Sequence, residues 1–381
     1  MLRGGSERLP LSSEDMAFAT RMYREAVVWR KRIDHALDRY VRKSLYTLDP
    51  DVLCSLRIGA VQLLVLGTPA HAAVSATVEA HSSRKTRGLV NAVLRKIAVH
   101  TEEKLPLHIM YSHPEELVNR WMKRYGGSVA QRLLEWNNQP PPLGGYAFGD
   151  IPAGTEKGEF LERYRVMGRH GAFQPPDNFY IQDESAAIVG QGMAELPGVT
   201  VLEIGAAPGG KTAHLSGTGF VISVDRKRKR MRRWIANRDR MRWEDCFPVA
   251  ADCSSLSFSM KFDKVIVDAP CTNTGVYRRR FDARWNWSVA MEEELVQIQR
   301  KMLVDSAKSV KPGGVLVYST CSIEPAENSG IVQFFEERNL AFERIPFPAP
   351  EALVTGEGFL SVFPPKAGID GLFAASWKYR G

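Results

Sequence analysis

Two cysteines stand where thiol chemistry would be placed. Cys271 ends the run Asp268, Ala269, Pro270, Cys271, and Cys321 sits in Ser319, Thr320, Cys321, Ser322. Each run follows a β-rich apolar segment, KVIVD (264–268) and GVLVYS (314–319), so both thiols are expected at strand ends. A thiolate that attacks an electrophilic carbon splits one hard step into two easier ones. A free cysteine has a pKa of ~8.5, so such a site must favour the ionised form. Asp268 adds a carboxyl group that could protonate or hydrogen-bond the substrate as charge builds. A lone cysteine after a strand is ordinarily a small core residue. Two of them on neighbouring strand ends beside a carboxylate weaken that bland account. The remaining cysteines, Cys54, Cys246 and Cys253, read as core or incidental positions.

Other chemistries have less support. All eight histidines lie at or before His214, so a histidine mechanism in the C-terminal half has only His214 to use. No CxxC occurs among the five cysteines. Neither a zinc knuckle nor a redox pair is written here, and no metal is expected.

A second constellation lies upstream. Glu203, Ile204 and Gly205 close a strand-like run and are followed by Ala206, Ala207, Pro208, Gly209, Gly210, Lys211 and Thr212. A glycine-rich turn after a first strand lets a nucleotide-like ligand approach the backbone closely. A helix beginning near Gly210 would aim its positive end at that ligand. Asp225 closes the next strand and is placed to accept hydrogen bonds from ribose hydroxyls. Asp252 closes the third and can reach the adenine side of the same crevice. The glycine spacing is not G-x-G-x-x-G, because Ala207 and Pro208 interrupt it. That favours a cofactor without phosphates, S-adenosylmethionine, over a nicotinamide dinucleotide.

The elements that must position these residues follow from texture. From about residue 177 onward, VTVLEI (199–204), FVISV (220–224), FPVA (247–250), KVIVD and GVLVYS alternate with helical stretches. That pattern is a doubly wound parallel sheet, whose ligands bind at the carboxyl ends of the strands. Residues 1–103 read as an all-α bundle. Its centre is the apolar helix after Asp49 and Pro50, stopped at Gly67 and Pro69, with two further helices at 70–81 and 86–98. Residues 104–176 read as a small mixed α/β adaptor. Two helices there are split at Gly126 and Gly127, NNQPPP (137–142) forms a rigid link, and short strand-like runs follow.

The composition is that of an ordinary globular protein, 44% hydrophobic and 25% charged over 381 residues. The net charge of +8 points to an anionic partner, with nucleic acid first. Arg278, Arg279, Arg280 and Arg284 are interleaved with Trp285 and Trp287 just after Cys271, which suits phosphate contact and stacking on a splayed strand. Arg84, Lys85, Arg87, Arg95 and Lys96 form a second basic face that could contact phosphates, and residues 226–233 a third, read as a solvated helix surface whose direction could guide RNA. MLRGGSERLP has no apolar signal core, and no apolar run reaches the ~18 residues of a membrane span. The expectation is a cytoplasmic monomer with no membrane partner.

Several segments resemble known families. LRIGAVQLL (56–64) and GLVNAVLRKI (88–97) resemble the NusB-like helical RNA-binding domain. EIGAAPGGKT, VDAPCTNTGVYRRRFDARW and VYSTCSIEPAENSGIV are similar to the motifs of the cytosine-5 RNA methyltransferases of the Sun/Nop type. YIQDESAAIVG (180–190) and GIDGLFAASWKYR (368–380) resemble that family's element before the first strand and its closing hairpin. A NusB-like domain ahead of the enzyme is the arrangement of the bacterial branch that modifies small-subunit ribosomal RNA.

The resemblance implies a Rossmann-like methyltransferase domain at 177–381. It implies that Cys321 is the nucleophile, attacking carbon 6 of a cytosine so that carbon 5 can take a methyl group. Cys271 would help release the product, and Asp268 would assist at the ring and border the cofactor. Gly205, Ala206, Ala207, Pro208, Gly209, Gly210, Lys211, Asp225 and Asp252 would bind S-adenosylmethionine. The same chemistry on transfer RNA and a non-catalytic RNA-binding assembly factor are the rival readings. Glu203 stands where that family usually has Asp, Gly205 where Cys is common, and LGGYAFGD (143–150) lacks its usual Arg-containing strand.

Overall fold

A computed structural model describes residues 12–42, 44–101, 104–167, 176–252, 258 and 260–381. Cys253, read above as core or incidental, lies outside the described residues. The chain divides into two compact units, Met1–Asn138 and Gln139–Gly381.

The first unit is helical. Its helices are α1 (Ser13–Val28), α2 (Arg30–Asp38), α3 (Pro50–Leu64), α4 (Ala70–Ala80), α5 (Arg87–Ile97), α6 (Leu107–Met110), α7 (Glu115–Tyr125) and α8 (Gly127–Asn138). The sequence signals act as expected at α3: Asp49 caps it through the Asp51 N–H, and Pro50 occupies the first turn. Val52, Leu56, Ala60 and Val61 of α3 pack with Val90, Val93, Leu94 and Ile97 of α5 in one core. Helix α7 stops at Gly126, whose φ of 78° suits glycine.

The unit boundary falls inside the expected adaptor. Its helices belong with the helical unit and its strands with the sheet unit. The link is also shorter than NNQPPP. Asn137 and Asn138 end α8 and are buried, Asn137 against His113 and Asn138 donating to the Tyr111 carbonyl.

The second unit begins with a four-stranded antiparallel sheet in the order β2-β3-β1-β4. Its strands are β1 (Gly144–Ala147), β2 (Thr155–Lys157), β3 (Tyr164–Met167) and β4 (Phe179–Ile181). The main sheet then follows in sequence. It runs through α9 (Glu184–Glu195), β5 (Thr200–Ile204), α10 (Thr212–Leu215), β6 (Phe220–Val224), α11 (Arg228–Met241), β7 (Cys246–Val249) and β8 (Phe262–Asp268). It continues with α12 (Val289–Ala307), β9 (Val310–Thr320), α13 (Ser329–Glu336), β10 (Phe342–Ile345), β11 (Leu360–Val362), α14 (Pro364–Ala367) and β12 (Leu372–Tyr379).

The strand order is β10-β12-β9-β8-β5-β6-β7. Strands β7, β6, β5, β8 and β9 are parallel, as the alternation of apolar runs and helices demands. The C-terminal segment does not form a simple hairpin. β12 lies antiparallel between β9 and β10, with β11 paired to it as well. The parallel strands are buried on both faces, and Val201, Val221, Ile266 and Val317 share one core while Leu202, Val224, Val265 and Leu316 share the other.

Register decides what the sheet presents. Asp268 at the end of β8 pairs with Ser319 on β9. Cys271 and Cys321 therefore leave the sheet from adjacent strands at one level.

Candidate active site

The two thiols meet. Cys271 Sγ and Cys321 Sγ lie 3.1 Å apart, and both cysteines are free. The Cys321 thiol also donates to Asn273 Oδ1 at 3.3 Å. Cys271 is 7% exposed, whereas Cys321 is partly open to solvent. The hydrogen bond with Cys321, reinforced by burial, holds the Cys271 thiol well above the usual range. Cys271 therefore stays protonated, and its S–H is available to the Cys321 sulfur. The accessible member of the pair is Cys321.

Asp268 lies at the foot of the same two loops. Its carboxylate takes Lys211 Nζ at 2.7 Å on one oxygen and the Ser319 hydroxyl at 3.1 Å on the other. It thus joins the glycine-rich loop to the cysteine-bearing edge.

Two residues that sequence reading missed hold the cysteine loops in place. Glu327 and Asn328 lie side by side after the Cys321 loop. Glu327 accepts the Thr272 N–H at 2.9 Å, the Thr272 hydroxyl, and Gln299 Nε2 at 2.9 Å. Gln299 also donates to the Pro270 carbonyl at 2.8 Å. Both neighbours of Cys271 are tied in this way. Asn328 accepts the Thr320 hydroxyl at 2.7 Å and donates to the Ser322 carbonyl at 2.9 Å, tying both neighbours of Cys321. The Gly275 N–H donates directly to the Cys321 carbonyl at 3.1 Å. Burial raises the Glu327 carboxyl above its usual range against the pull of its donors. Their signal was present in the segment EPAEN, two polar residues opening an apolar helix, but the sequence does not show what they reach.

The glycine-rich loop is shaped to lie close to its neighbours. A Cβ on Gly205, whose φ is +84°, would sit 2.2 Å from the Asp268 carbonyl oxygen. A Cβ on Gly209, whose φ is +110°, would sit 2.8 Å from the Trp243 ring. The N–H groups of Gly205 and Ala206 both donate to the Val224 carbonyl, and that of Gly209 to Ala206. These three amides are spent within the protein, so Gly205 and Gly209 serve the shape of the loop. The next helix, α10, starts at Thr212 and has four residues, so the expected helix-end field from Gly210 is not built.

Asp225 fits a ribose partner. It is 3% exposed, Oδ1 accepts the Lys227 N–H at 2.9 Å, and Oδ2 accepts no hydrogen bond. Arg230 Nη1 lies 3.2 Å from Oδ2 as an ion pair without hydrogen-bond alignment. A buried carboxylate oxygen with an open acceptor site is what paired hydroxyl donors would satisfy. Asp252 is in the loop after β7, its side chain 47% exposed and 3.9 Å from Arg226. The loop of residues 205–211, Asp225 and Asp252 thus border one edge of the sheet, as S-adenosylmethionine would need. Glu203 does not reach that edge. It is fully buried, Oε2 accepts the Thr212 and Ser223 hydroxyls at 2.6 and 2.8 Å, and burial pushes its carboxyl up to about 7.

The basic, aromatic segment after Cys271 is a correction. Arg278, Arg284 and Trp287 are buried, Arg278 pairs with Asp370, and Arg279 bonds Asp370 Oδ2 at 2.7 Å and pairs with Asp183. Arg284 lies over the Tyr277 ring. Arg278 and Arg279 are thus paired with carboxylates and Arg284 is buried, leaving Arg280 as the exposed arginine of the run. His214 is also structural, buried against Tyr146 and Phe148 and pushed down to about 3 by desolvation. No group of three or more metal-ligating side chains occurs among the described residues.

The chain matches known proteins along almost its full length. The family described as 16S rRNA methyltransferase RsmB/F matches residues 193–378, and the NusB family matches residues 3–99. Ribosomal RNA small subunit methyltransferase B of Pasteurella multocida is 31% identical, over 91% of this chain and 84% of its own. The protein of the same name from Thermus thermophilus is 30% identical, over 97% and 90%. The solved structure of PH0851 shares the fold with a TM-score of 0.83, over 97% of this chain and 91% of its own at 22% identity. NSun6 from Pyrococcus horikoshii does so with a TM-score of 0.61, over 71% of this chain and 100% of its own at 17% identity. Identity of that extent, on a sheet that brings two thiols to its edge, establishes that the chain belongs to the RsmB/F family of S-adenosylmethionine-dependent rRNA methyltransferases, with a NusB-family domain ahead of the enzyme.

Proposed function

We propose that this protein methylates carbon 5 of a cytosine in small-subunit ribosomal RNA through a covalent adduct of Cys321. The observation that carries the reading is the thiol pair, 3.1 Å apart, one sulfur buried and the other accessible. Simple methyl transfer to a nitrogen or oxygen would need neither. The relatives named for small-subunit ribosomal RNA support the substrate class.

Carbon 5 of cytosine is a weak nucleophile. As the Cys321 thiolate forms an S–C6 bond, the ring electrons move toward carbon 5. With its carboxyl protonated and released from Lys211, Asp268 would donate a hydrogen bond to the ring nitrogen as negative charge builds there. Residues 205–211, Asp225 and Asp252 would hold S-adenosylmethionine, whose methyl group would pass to carbon 5 as S-adenosylhomocysteine departs. Carbon 5 then gives its proton to a water molecule, the C5–H electrons re-form the C5–C6 double bond, and the C6–S pair leaves with Cys321. Cys271 assists this elimination by donating its S–H to the departing Cys321 sulfur. The protein works in this reading as a cytoplasmic monomer with RNA as partner. No helix among the described residues is long and apolar enough to cross a membrane.

The two cysteines must fail differently. Cys321→Ala abolishes methylation, because no activated ring forms. Cys271→Ala permits attack and methyl transfer but slows elimination, so a protein–RNA adduct accumulates and survives denaturing electrophoresis. The double mutant forms none. An adduct in Cys321→Ala instead would exchange the roles, and full activity in both single mutants would end the thiol mechanism.

A further inference from the structure

The positive charge of this protein is concentrated on one element. Residues 226–242 hold ten Lys or Arg and a single acid, Asp239, a surplus of nine. The whole chain has a surplus of eight, so all the rest is one charge negative. Most of this segment is α11.

The arrangement works against the helix itself. Arg228, Lys229 and Arg230 fill the first turn, which contains no acid, and Lys227 offers no side-chain cap. Cations at the positive end of a helix dipole are unfavourable. Arg228 with Arg232, and Lys229 with Arg233, repeat like charges at a spacing of four. Within the protein, Arg230 is committed to Asp225 and to the Ala207 carbonyl, Arg240 to backbone carbonyls at 177 and 179, and Arg238 to Asp239. Arg226 has Asp252 at 3.9 Å. Lys227, Arg228, Lys229, Arg232 and Arg233 are exposed, and the single acid of α11, Asp239, is paired with Arg238. Met231 and Trp234 supply the buried face that holds the helix to the sheet. An external polyanion would relieve this repulsion.

The position suits an RNA strand on its way to the thiols. The N-terminus of α11 follows β6 and is anchored to Asp225 at the cofactor edge. β6 is three strands from β9 in the sheet, roughly 14 Å at about 4.8 Å per strand. Here the segment at 278–287, whose Arg278 and Arg284 are buried and whose Arg279 is paired with Asp183 and Asp370, leaves only Arg280 exposed to phosphates.

We propose that the exposed face of α11, centred on Arg228, Lys229, Arg232 and Arg233, is a phosphate-binding track for the RNA substrate. This deepens the reading above, since it names where that RNA lies, but its test does not need methylation. The full-length protein carrying Gln at those four positions is compared with a control carrying Gln at Lys301, Lys308, Arg338 and Arg380. The control loses the same charge from exposed cations on other elements. Binding of a small-subunit ribosomal RNA transcript is measured against salt by fluorescence anisotropy. Each phosphate contact contributes about −0.7 to −0.9 to the slope of log affinity on log salt. With three of the four cations engaged, the α11 variant's slope becomes shallower by roughly 2–3, and affinity near 0.15 M salt falls roughly 10²-fold. S-adenosylmethionine affinity stays within error of the parent, because neither Asp225 nor Arg230 is changed, and Tm is equal or higher because like-charge repulsion along α11 is relieved. An unchanged slope overturns the proposal. So does an equal loss in the control, which would make the effect one of net charge. Loss of binding to phosphatidylserine vesicles with RNA binding intact would also overturn it, assigning the face to an anionic membrane. If the slope falls while the cytosine-5 chemistry fails its own test, the track stands and only the reaction is revised.

Discussion

Glu203 shows how one carboxyl can be tuned by its surroundings. It is buried beneath the glycine-rich loop, with two hydroxyl donors on one oxygen and no hydrogen bond to the other. Burial raises it from 4.5 to about 7. An acid whose pKa is higher in the folded state binds its proton more tightly there. Its stabilising contribution is therefore complete below about 4.5 and is lost as pH rises through about 7. The stability of the parent relative to Glu203→Gln should fall by on the order of 3 kcal/mol across that window, at 1.36 kcal/mol per unit. Urea unfolding of both proteins at several pH values measures it. A constant difference between them would mean that Glu203 has the same pKa folded and unfolded.

At the scale of elements, the site depends on two loops leaving adjacent strands and on the pair Glu327 and Asn328 that ties them. Thr272 N–H and Gln299 would lose a buried acceptor in Glu327→Ala, at about 1–3 kcal/mol for each group left unsatisfied. The larger effect should be on geometry, since a shift of about 1 Å at a reacting group can cost roughly 10²-fold. We expect Glu327→Ala to lower kcat about that much with S-adenosylmethionine affinity unchanged. Glu327→Gln, which keeps one acceptor oxygen, should recover part of it. Single-turnover methylation alongside calorimetry separates the two, and equal losses in rate and cofactor affinity would mean general unfolding instead.

At the scale of the molecule, the chain combines a helical unit with a sheet unit, each with its own core. Units of that kind can fold separately. The piece Gln139–Gly381 should therefore bind S-adenosylmethionine as the whole chain does. Its kcat/KM on the natural ribosomal target should fall at least about tenfold, which is about 1.4 kcal/mol of recognition. Comparing methylation of that target with methylation of an unrelated RNA tests it. Normal kcat/KM on the target would remove the helical unit from recognition.

The sequence by itself determined the parallel sheet and the thiol-bearing strand ends. These depend on local signals: apolar runs long enough for one strand, Pro and Gly at element ends, and an acid or thiol at the residue where each strand stops. Cys271, Cys321, Asp268 and Asp225 were legible because a parallel sheet delivers every strand end to one side. Tertiary structure alone decided which cations are free. Arg278 and Arg284 and their exposed counterparts Arg228 and Arg232 are the same residue types in similarly basic runs, and no local rule tells them apart. The former were buried against Asp370 and Tyr277, partners 92 and 7 positions away, and the latter were left facing solvent. Glu327 and Asn328 were illegible for the same reason. Their importance lies in the backbone atoms they reach, and those come within hydrogen-bond range only when β8 and β9 pair in register.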